Sequence, residues 1–193
     1  MFGKLIVFII IIVCIVVLWY NIHHILPYIS QYLFGKSAVI NLQKINTFED
    51  YLNKNLNSKK RRALKKVIKN EYNNITIKNG TFSKKYIMYL NEFLKSKYKS
   101  NLTSTIYLIL STLLLITNKL NFFEYYKNNE FIGWSSYFIK NDIYYDFISS
   151  PNNLNITVIG IHSIKYCIEN NIFVLDMGPT NIDLKKRKFN ASF

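Results

Sequence analysis

Seven basic side chains, Lys59, Lys60, Arg61, Arg62, Lys65, Lys66 and Lys69, fall within eleven positions. So dense a cluster attracts phosphates by releasing their counterions, or an anionic leaflet at roughly 1 kcal/mol per residue near its surface. Three environments suit it: a phosphate-bearing substrate (coenzyme A, a nucleotide-linked precursor or tRNA), a membrane surface, or water alone around the outer face of a helix. Lys185, Lys186, Arg187 and Lys188 form a second cluster. Other chemistry is sparsely supplied. Cys14 and Cys167 have no second cysteine at metal spacing, and Cys14 stands in an apolar run, so neither a bridge nor a thiolate metal site is expected. His23, His24 and His162 form no H-x-x-x-H pair, so no zinc site is expected either. The aromatic residues show no RNP-like pattern, which argues against a nonspecific nucleic-acid binder.

Composition tempers the charge argument. Only 3 of the 25 basic residues are Arg, and Ile, Asn, Lys, Tyr and Phe together make 104 of the 193 residues. All five are encoded by A- and T-rich codons, so part of the +14 net charge reflects coding bias rather than selection for a polyanion. Half the chain is hydrophobic, which excludes a wholly disordered protein. Five Asn-x-Ser/Thr sequons (Asn74, Asn79, Asn101, Asn155 and Asn190) are little more than chance among 24 asparagines and do not place the domain in a secretory lumen.

The elements that must position these residues begin with Leu5 to Tyr20, sixteen residues without a charge, preceded by Lys4 and ended by Trp19 and Tyr20. At about 1.5 Å per residue the run approaches a bilayer core, and no small-x-small cleavage site follows it. Residues 1–24 are therefore expected to be an uncleaved, single-pass transmembrane anchor. The unpaired cysteines and basic domain point to the cytosolic side. Residues 25–43, broken by Pro27 and Gly35, read as a juxtamembrane stalk, although Val39 to Lys44 alternates as a strand would. A second apolar run, Ile106 to Ile116, is too short to span and predicts a buried helix.

Thr47-Phe48-Glu49-Asp50 resembles a capping box opening a helix to about Asn55, and Ser58 is expected to cap a second, with Leu64, Val67, Ile68 and Tyr72 on one face. Asn74 to Lys78 predicts a strand closed by an Asn79-Gly80 turn, with helices over 83–99 and 102–120 beyond it. Asn121 to Lys127, Phe131 to Lys140 and Ile143 to Ser149 alternate, separated by Asn128-Asn129 and Asn141-Asp142, and predict an antiparallel meander. An amphipathic helix over 155–170, a buried strand over 172–177 and a basic helix over 182–189 complete an α+β domain spanning 44–193.

Three stretches of this domain carry a family resemblance. FEDYLNKNLNSKKRRALKKVIK (48–69) resembles an opening of short helix then Lys/Arg-rich helix. Glu130-Phe131-Ile132-Gly133-Trp134 through Ser150-Pro151 resembles a central hairpin. LDMGPTNIDLKKRKF (175–189) resembles a closing strand–loop–helix. Together they resemble the GNAT acyltransferase superfamily, specifically its Fem-like branch of peptidoglycan-bridge aminoacyltransferases. The resemblance implies a GNAT-like mixed sheet with flanking helices, in which 143–149 and 172–177 diverge as a V around an activated acyl group. It implies transfer of that group to an amine, with acyl-CoA or aminoacyl-tRNA as co-substrate and no tightly bound cofactor. On this basis Asp146, Asp176 and Tyr145 (or Tyr144) are candidate proton-transfer groups. Gly178, Thr180, Asn181, Lys185 and Lys186 are candidates for holding the donor. Two departures accompany the match. SSPNNLNITVIG lacks the Gly-rich pyrophosphate loop of coenzyme A users, and no strand follows the Lys-bearing helix, so the sheet is expected to be minimal or completed by a partner. The alternative implied is an inactive GNAT-fold module that binds an anionic partner or assembles at a membrane.

Overall fold

The computed structural model describes residues 37–80, 87, 88, 90, 91, 120–150, 154–178 and 182–192. The expected anchor (1–24), most of the stalk, the helices over 83–99 and 102–120 and the apolar run at 106–116 lie outside, or almost wholly outside, these residues. Among the described residues no helix is long and apolar enough to cross a membrane.

In chain order the elements are β1 (Val39–Asn41), α1 (Phe48–Asn55), α2 (Ser58–Asn70), a 3-10 turn (Tyr72–Asn74), β2 (Thr76–Asn79), β3 (Asn121–Lys127), β4 (Glu130–Lys140), β5 (Ile143–Ser150), α3 (Ile156–Glu169), β6 (Val174–Asp176) and α4 (Ile182–Phe189). They form an α+β unit around one six-stranded mixed sheet of order β1-β6-β5-β4-β3-β2. Only β5 and β6 are parallel, linked through α3. Every other pairing is antiparallel.

Local chemistry accounts for most of these elements. The two meander turns hold Asn128, Asn129, Asn141 and Asp142 at φ of 51°, 65°, 49° and 58°, the left-handed pair that a right-twisted two-residue hairpin requires and that Asn and Asp tolerate best. The Thr47 hydroxyl accepts from the Asp50 amide at 3.0 Å and starts α1. The second helix is capped by Asn57, not Ser58: its Oδ1 accepts from the Lys60 amide at 2.9 Å. Gly80, expected in a turn, instead extends the ladder, its N–H donating to the Phe122 carbonyl at 2.9 Å. Residues 39–41, within the stretch read as stalk, belong to the sheet: β1 pairs with β6 on one side and bridges Ser192 on the other.

Helix α3 departs from the amphipathic pattern expected of it. Residues 157–161, 163, 164 and 167 are all buried, because the helix packs against α1, α2 and β6 at once. Gly160 permits this: a Cβ there would lie 2.5 Å from the Phe189 ring of α4. The Tyr51 hydroxyl donates to the Phe189 carbonyl at 2.6 Å, tying α1 to the end of α4. Leu64, Val158, Ile161, Ile164, Tyr144 and Leu175 complete the middle of the core.

Candidate functional site

β5 and β6 are paired at Ile143–Val174, Tyr144–Leu175 and Tyr145–Asp176, and there the ladder ends. β5 continues to Ser150 along β4. The chain leaving β6 turns instead toward β1, where the Met177 amide donates to the Ala38 carbonyl at 2.8 Å and the Ala38 amide to the Gly178 carbonyl at 3.2 Å. At the same level β5 is irregular. Tyr137 pairs with Asp146 but Ser136 pairs with Ile148, so Phe147 is an extra residue on β5. A bulge bends its strand and frees backbone groups from the ladder. The β5–β6 ladder thus ends after Tyr145 and Asp176, with Gly178 still close to the Asp146 backbone across it.

Gly178 sits just beyond the end of the ladder for two reasons. Its φ is +72°, a region costly for any residue with a Cβ, and that Cβ would lie 3.3 Å from the Asp146 carbonyl oxygen. The Gly178 amide donates to Asp176 Oδ1 at 2.8 Å, so Asp176 closes a turn at the end of its own strand. Lys185, from α4, is buried and directs its ammonium inward. It donates to the Gly178 carbonyl at 3.0 Å and to the Met177 carbonyl, satisfying the backbone where β6 leaves the sheet.

Asp146 and Asp176 share this cation. Burial pushes the Asp146 carboxyl up to about 6; Lys185 and a 3.3 Å hydrogen bond donated by Ser163 oppose the rise, and the nearby Asp176 adds to it. The Asp176 carboxyl is also raised by burial, against the Gly178 amide, the Ser37 hydroxyl and Lys185. A carboxyl that titrates near neutrality can exchange a proton with substrate at physiological pH.

Strand alternation separates the two tyrosines. Tyr144 lies on the α3 side with Asp146, stacked on Tyr137 at 4.6 Å and near Tyr166 of α3. Its buried hydroxyl faces Ser163 without completing a well-formed hydrogen bond, and burial raises its pKa well above the ordinary tyrosine value. Tyr145 lies on the opposite face, stacked on Phe138 at 4.7 Å, away from Asp146. Of the two candidate tyrosines, Tyr144 shares a face of β5 with Asp146 and Tyr145 does not.

Lys185 and Lys186, adjacent in sequence, also separate: Lys185 is buried at the end of the ladder, while Lys186 is exposed on the outer side of α4. Thr180 and Asn181 lie outside the described residues. Ser163 is the site residue that sequence reasoning missed; its only signal is a hydroxyl on the buried line Ile159–Ser163–Cys167 of an otherwise apolar helix. Two further polar groups nearby belong to the core. His162 packs edge-on to Phe123 at 4.4 Å, and burial lowers its pKa to about 4, so it is neutral. Burial holds the Cys167 thiol protonated.

No protein-family model and no curated protein matches the chain. Among solved structures it is similar to a conserved protein of unknown function from Bacteroides thetaiotaomicron VPI-5482, with a TM-score of 0.53 and 9% sequence identity. The match covers 81% of this chain and 56% of that one, so the chain spans little more than half that protein's length. At this identity the likeness concerns fold alone.

Proposed function

We propose that the folded unit is a GNAT-like N-acyl- or aminoacyltransferase of the Fem-like type, held at a membrane as a single-pass protein by residues 5–20. The observation that supports the reading is the end of the β5–β6 ladder after Tyr145 and Asp176, beside a bulge at Phe147; the reading takes the strands to diverge from there as a fork. An acyl donor lodged in such a fork meets a backbone amide that the bulge has released from the ladder. That amide polarises the thioester or ester carbonyl and stabilises the oxyanion formed on attack. The acceptor amine attacks the carbonyl carbon, a C–N bond forms, and the C–S or C–O bond to the donor breaks. Asp146 takes the proton lost by the amine and returns it to the leaving thiolate or alkoxide, so the carboxyl ends as it began. Ser163, bonded to Asp146, holds the carboxyl in place, and Tyr144, on the same face of β5, is stacked on Tyr137. Lys185 and Gly178 keep the fork open. The donor is acyl-CoA or aminoacyl-tRNA, and Lys186 is the exposed cation beside the fork helix that suits its phosphates.

The test is incubation of the full chain with labelled acyl-CoA, or with charged tRNA, in the presence of cell-envelope amines, with mass spectrometry of the acceptor. A new amide should appear, and Asp146→Asn should slow its formation by roughly 10²- to 10⁴-fold. Tyr145→Phe should leave the rate unchanged, because that hydroxyl lies on the far face. Absence of product with both donor classes would leave only the inactive, anion-binding module.

A further inference from the structure

The seven cations of α2 are not equivalent. Three are engaged within the fold. Lys60 Nζ donates to the Lys186 carbonyl at 3.1 Å and to Asn190 Oδ1 at 3.0 Å, Arg61 Nη1 donates to Asn53 Oδ1 at 2.6 Å, and Lys65 pairs with Glu49 of α1 at 2.7 Å. The other four, Lys59, Arg62, Lys66 and Lys69, are exposed and have no hydrogen bond or ion pair among the described residues. Their spacing is three, four, three. At about 100° and 1.5 Å per residue they fall within an arc of about 80° and form a row about 15 Å long. Leu64, Val67 and Ile68 pack into the core from the opposite side of the helix, so the row points straight into solvent.

Such a row repels itself. Lys59 and Arg62 are i, i+3 neighbours, as are Lys66 and Lys69, and Arg62 and Lys66 are i, i+4 neighbours; like charges at these spacings destabilise a helix. The first turn of α2 contains no acidic residue, so the positive end of its dipole faces cations as well. An anionic partner relieves each of these contacts.

The shape of the row narrows the choice of partner. Its ends lie too far apart for one small anion to touch more than two neighbouring cations. It holds no aromatic side chain on which a base would stack, and a single Arg, which argues against single-stranded nucleic acid. It holds no apolar side chain to enter a bilayer. A second α-helix, by contrast, has the same period and sets carboxylates at the same intervals. Ala63, exposed beside the row, is small enough to let another helix lie close. Within the fold α2 already holds a carboxylate from a neighbouring helix, that of Glu49 on Lys65.

We propose that Lys59, Arg62, Lys66 and Lys69 form a docking row for an acidic α-helix of a partner protein, one that carries Glu or Asp at positions i, i+3, i+7 and i+10. The inference goes beyond the transferase reading and does not depend on it.

The full chain in nonionic detergent tests it by fluorescence anisotropy with two labelled, stapled helical peptides of identical composition. One carries four Glu at the matching spacing, and the other carries them distributed around the helix. The matching peptide should bind at least about fivefold more tightly, and high salt should abolish the difference. The double substitution Arg62→Gln and Lys66→Gln should remove the preference. Arg61→Gln with Lys65→Gln, which lowers the net charge equally but off the row, should keep it. Circular dichroism checks that both variants are folded. Amine acetylation of the parent chain gives a readout without substitution: the matching peptide should slow labelling of Lys59 and Lys69 and leave Lys127 unchanged. Equal affinity for the two peptides, or no binding of either, overturns the proposal. So does tighter binding of single-stranded RNA, or of micelles doped with phosphatidylglycerol, that Arg62→Gln with Lys66→Gln abolishes, which would assign the row to that polyanion.

Discussion

Strand β5 meets its two neighbours on different terms. Against β4 it is paired from Ile143 to Ser150, and the seam is lined by stacked rings: Tyr137 on Tyr144 and Phe138 on Tyr145, with Phe123 of β3 extending the first stack at 4.8 Å from Tyr137. Against β6 it is paired at three positions, and the seam ends in two carboxyls, one ammonium and a glycine at positive φ. Cross-strand aromatic pairs and left-handed Asn turns specify register locally, so the β4 edge closes without help. The β6 edge is short and parallel, and its end is held by polar contacts from Lys185 of α4. The first edge supplies stability, and the second spends some of it to keep charged groups at an opening.

Lys185→Met should give the largest effect. It removes the donor to the Met177 and Gly178 carbonyls and the cation between Asp146 and Asp176, and breaking such a buried constellation costs about 3–5 kcal/mol. Urea unfolding measures the loss. Without the cation the Asp146 carboxyl should titrate still higher. A loss below about 1 kcal/mol would show that the fork does not depend on this lysine.

Gly178→Ala comes next, at about 2 kcal/mol: it places a Cβ in left-handed backbone and brings it against the Asp146 carbonyl. Because that carbonyl belongs to the strand on the other side of the fork, turnover should fall along with the urea midpoint. A variant that is destabilised yet fully active would uncouple fork geometry from chemistry.

The same contrast governs what could be read from the sequence. The meander was legible because alternation and Asn-rich turns act within a few residues, and α4 was legible at both ends. Pairing of β1 with β6 was not, since three residues of strand carry no sign of a partner about 135 positions away. Asn57 and Ser58 are both competent caps, and only backbone geometry selects Asn57. Acidic residues at the strand ends were visible as candidates. Which tyrosine joins them was not, because alternation says that Tyr144 and Tyr145 face opposite ways but not which side α3 covers. Ser163 was hidden because a single hydroxyl in an apolar helix resembles any small core residue.

Asp146→Asn should sharpen the comparison through pH. The folded carboxyl titrates at about 6 and its ordinary value is 3.8, so the folded state binds the proton more tightly than the unfolded chain. This contribution to stability is full below about pH 4 and is lost as pH rises through 6. Asn cannot ionise, so the variant should lack that decline and be more stable at pH 7 by about 1–2 kcal/mol, while turnover falls. Parallel pH–stability curves for the two proteins would mean that Asp146 is not strained by burial.

Asn141→Ala is the smallest perturbation and the control for the other edge. Asn141 holds φ of 49° at the tip of the β4–β5 hairpin, where Ala is less tolerant by about 1 kcal/mol. The urea midpoint should drop with an unchanged slope, since the same surface unfolds. Turnover and its pH profile should stay as in the parent, because the turn lies at the start of β5, before the paired residues Ile143 to Tyr145 that precede Asp146. If Asn141→Ala impaired turnover as deeply as Asp146→Asn, the two edges of β5 would be one cooperative unit, and the division between a stabilising seam and a chemical one would fail.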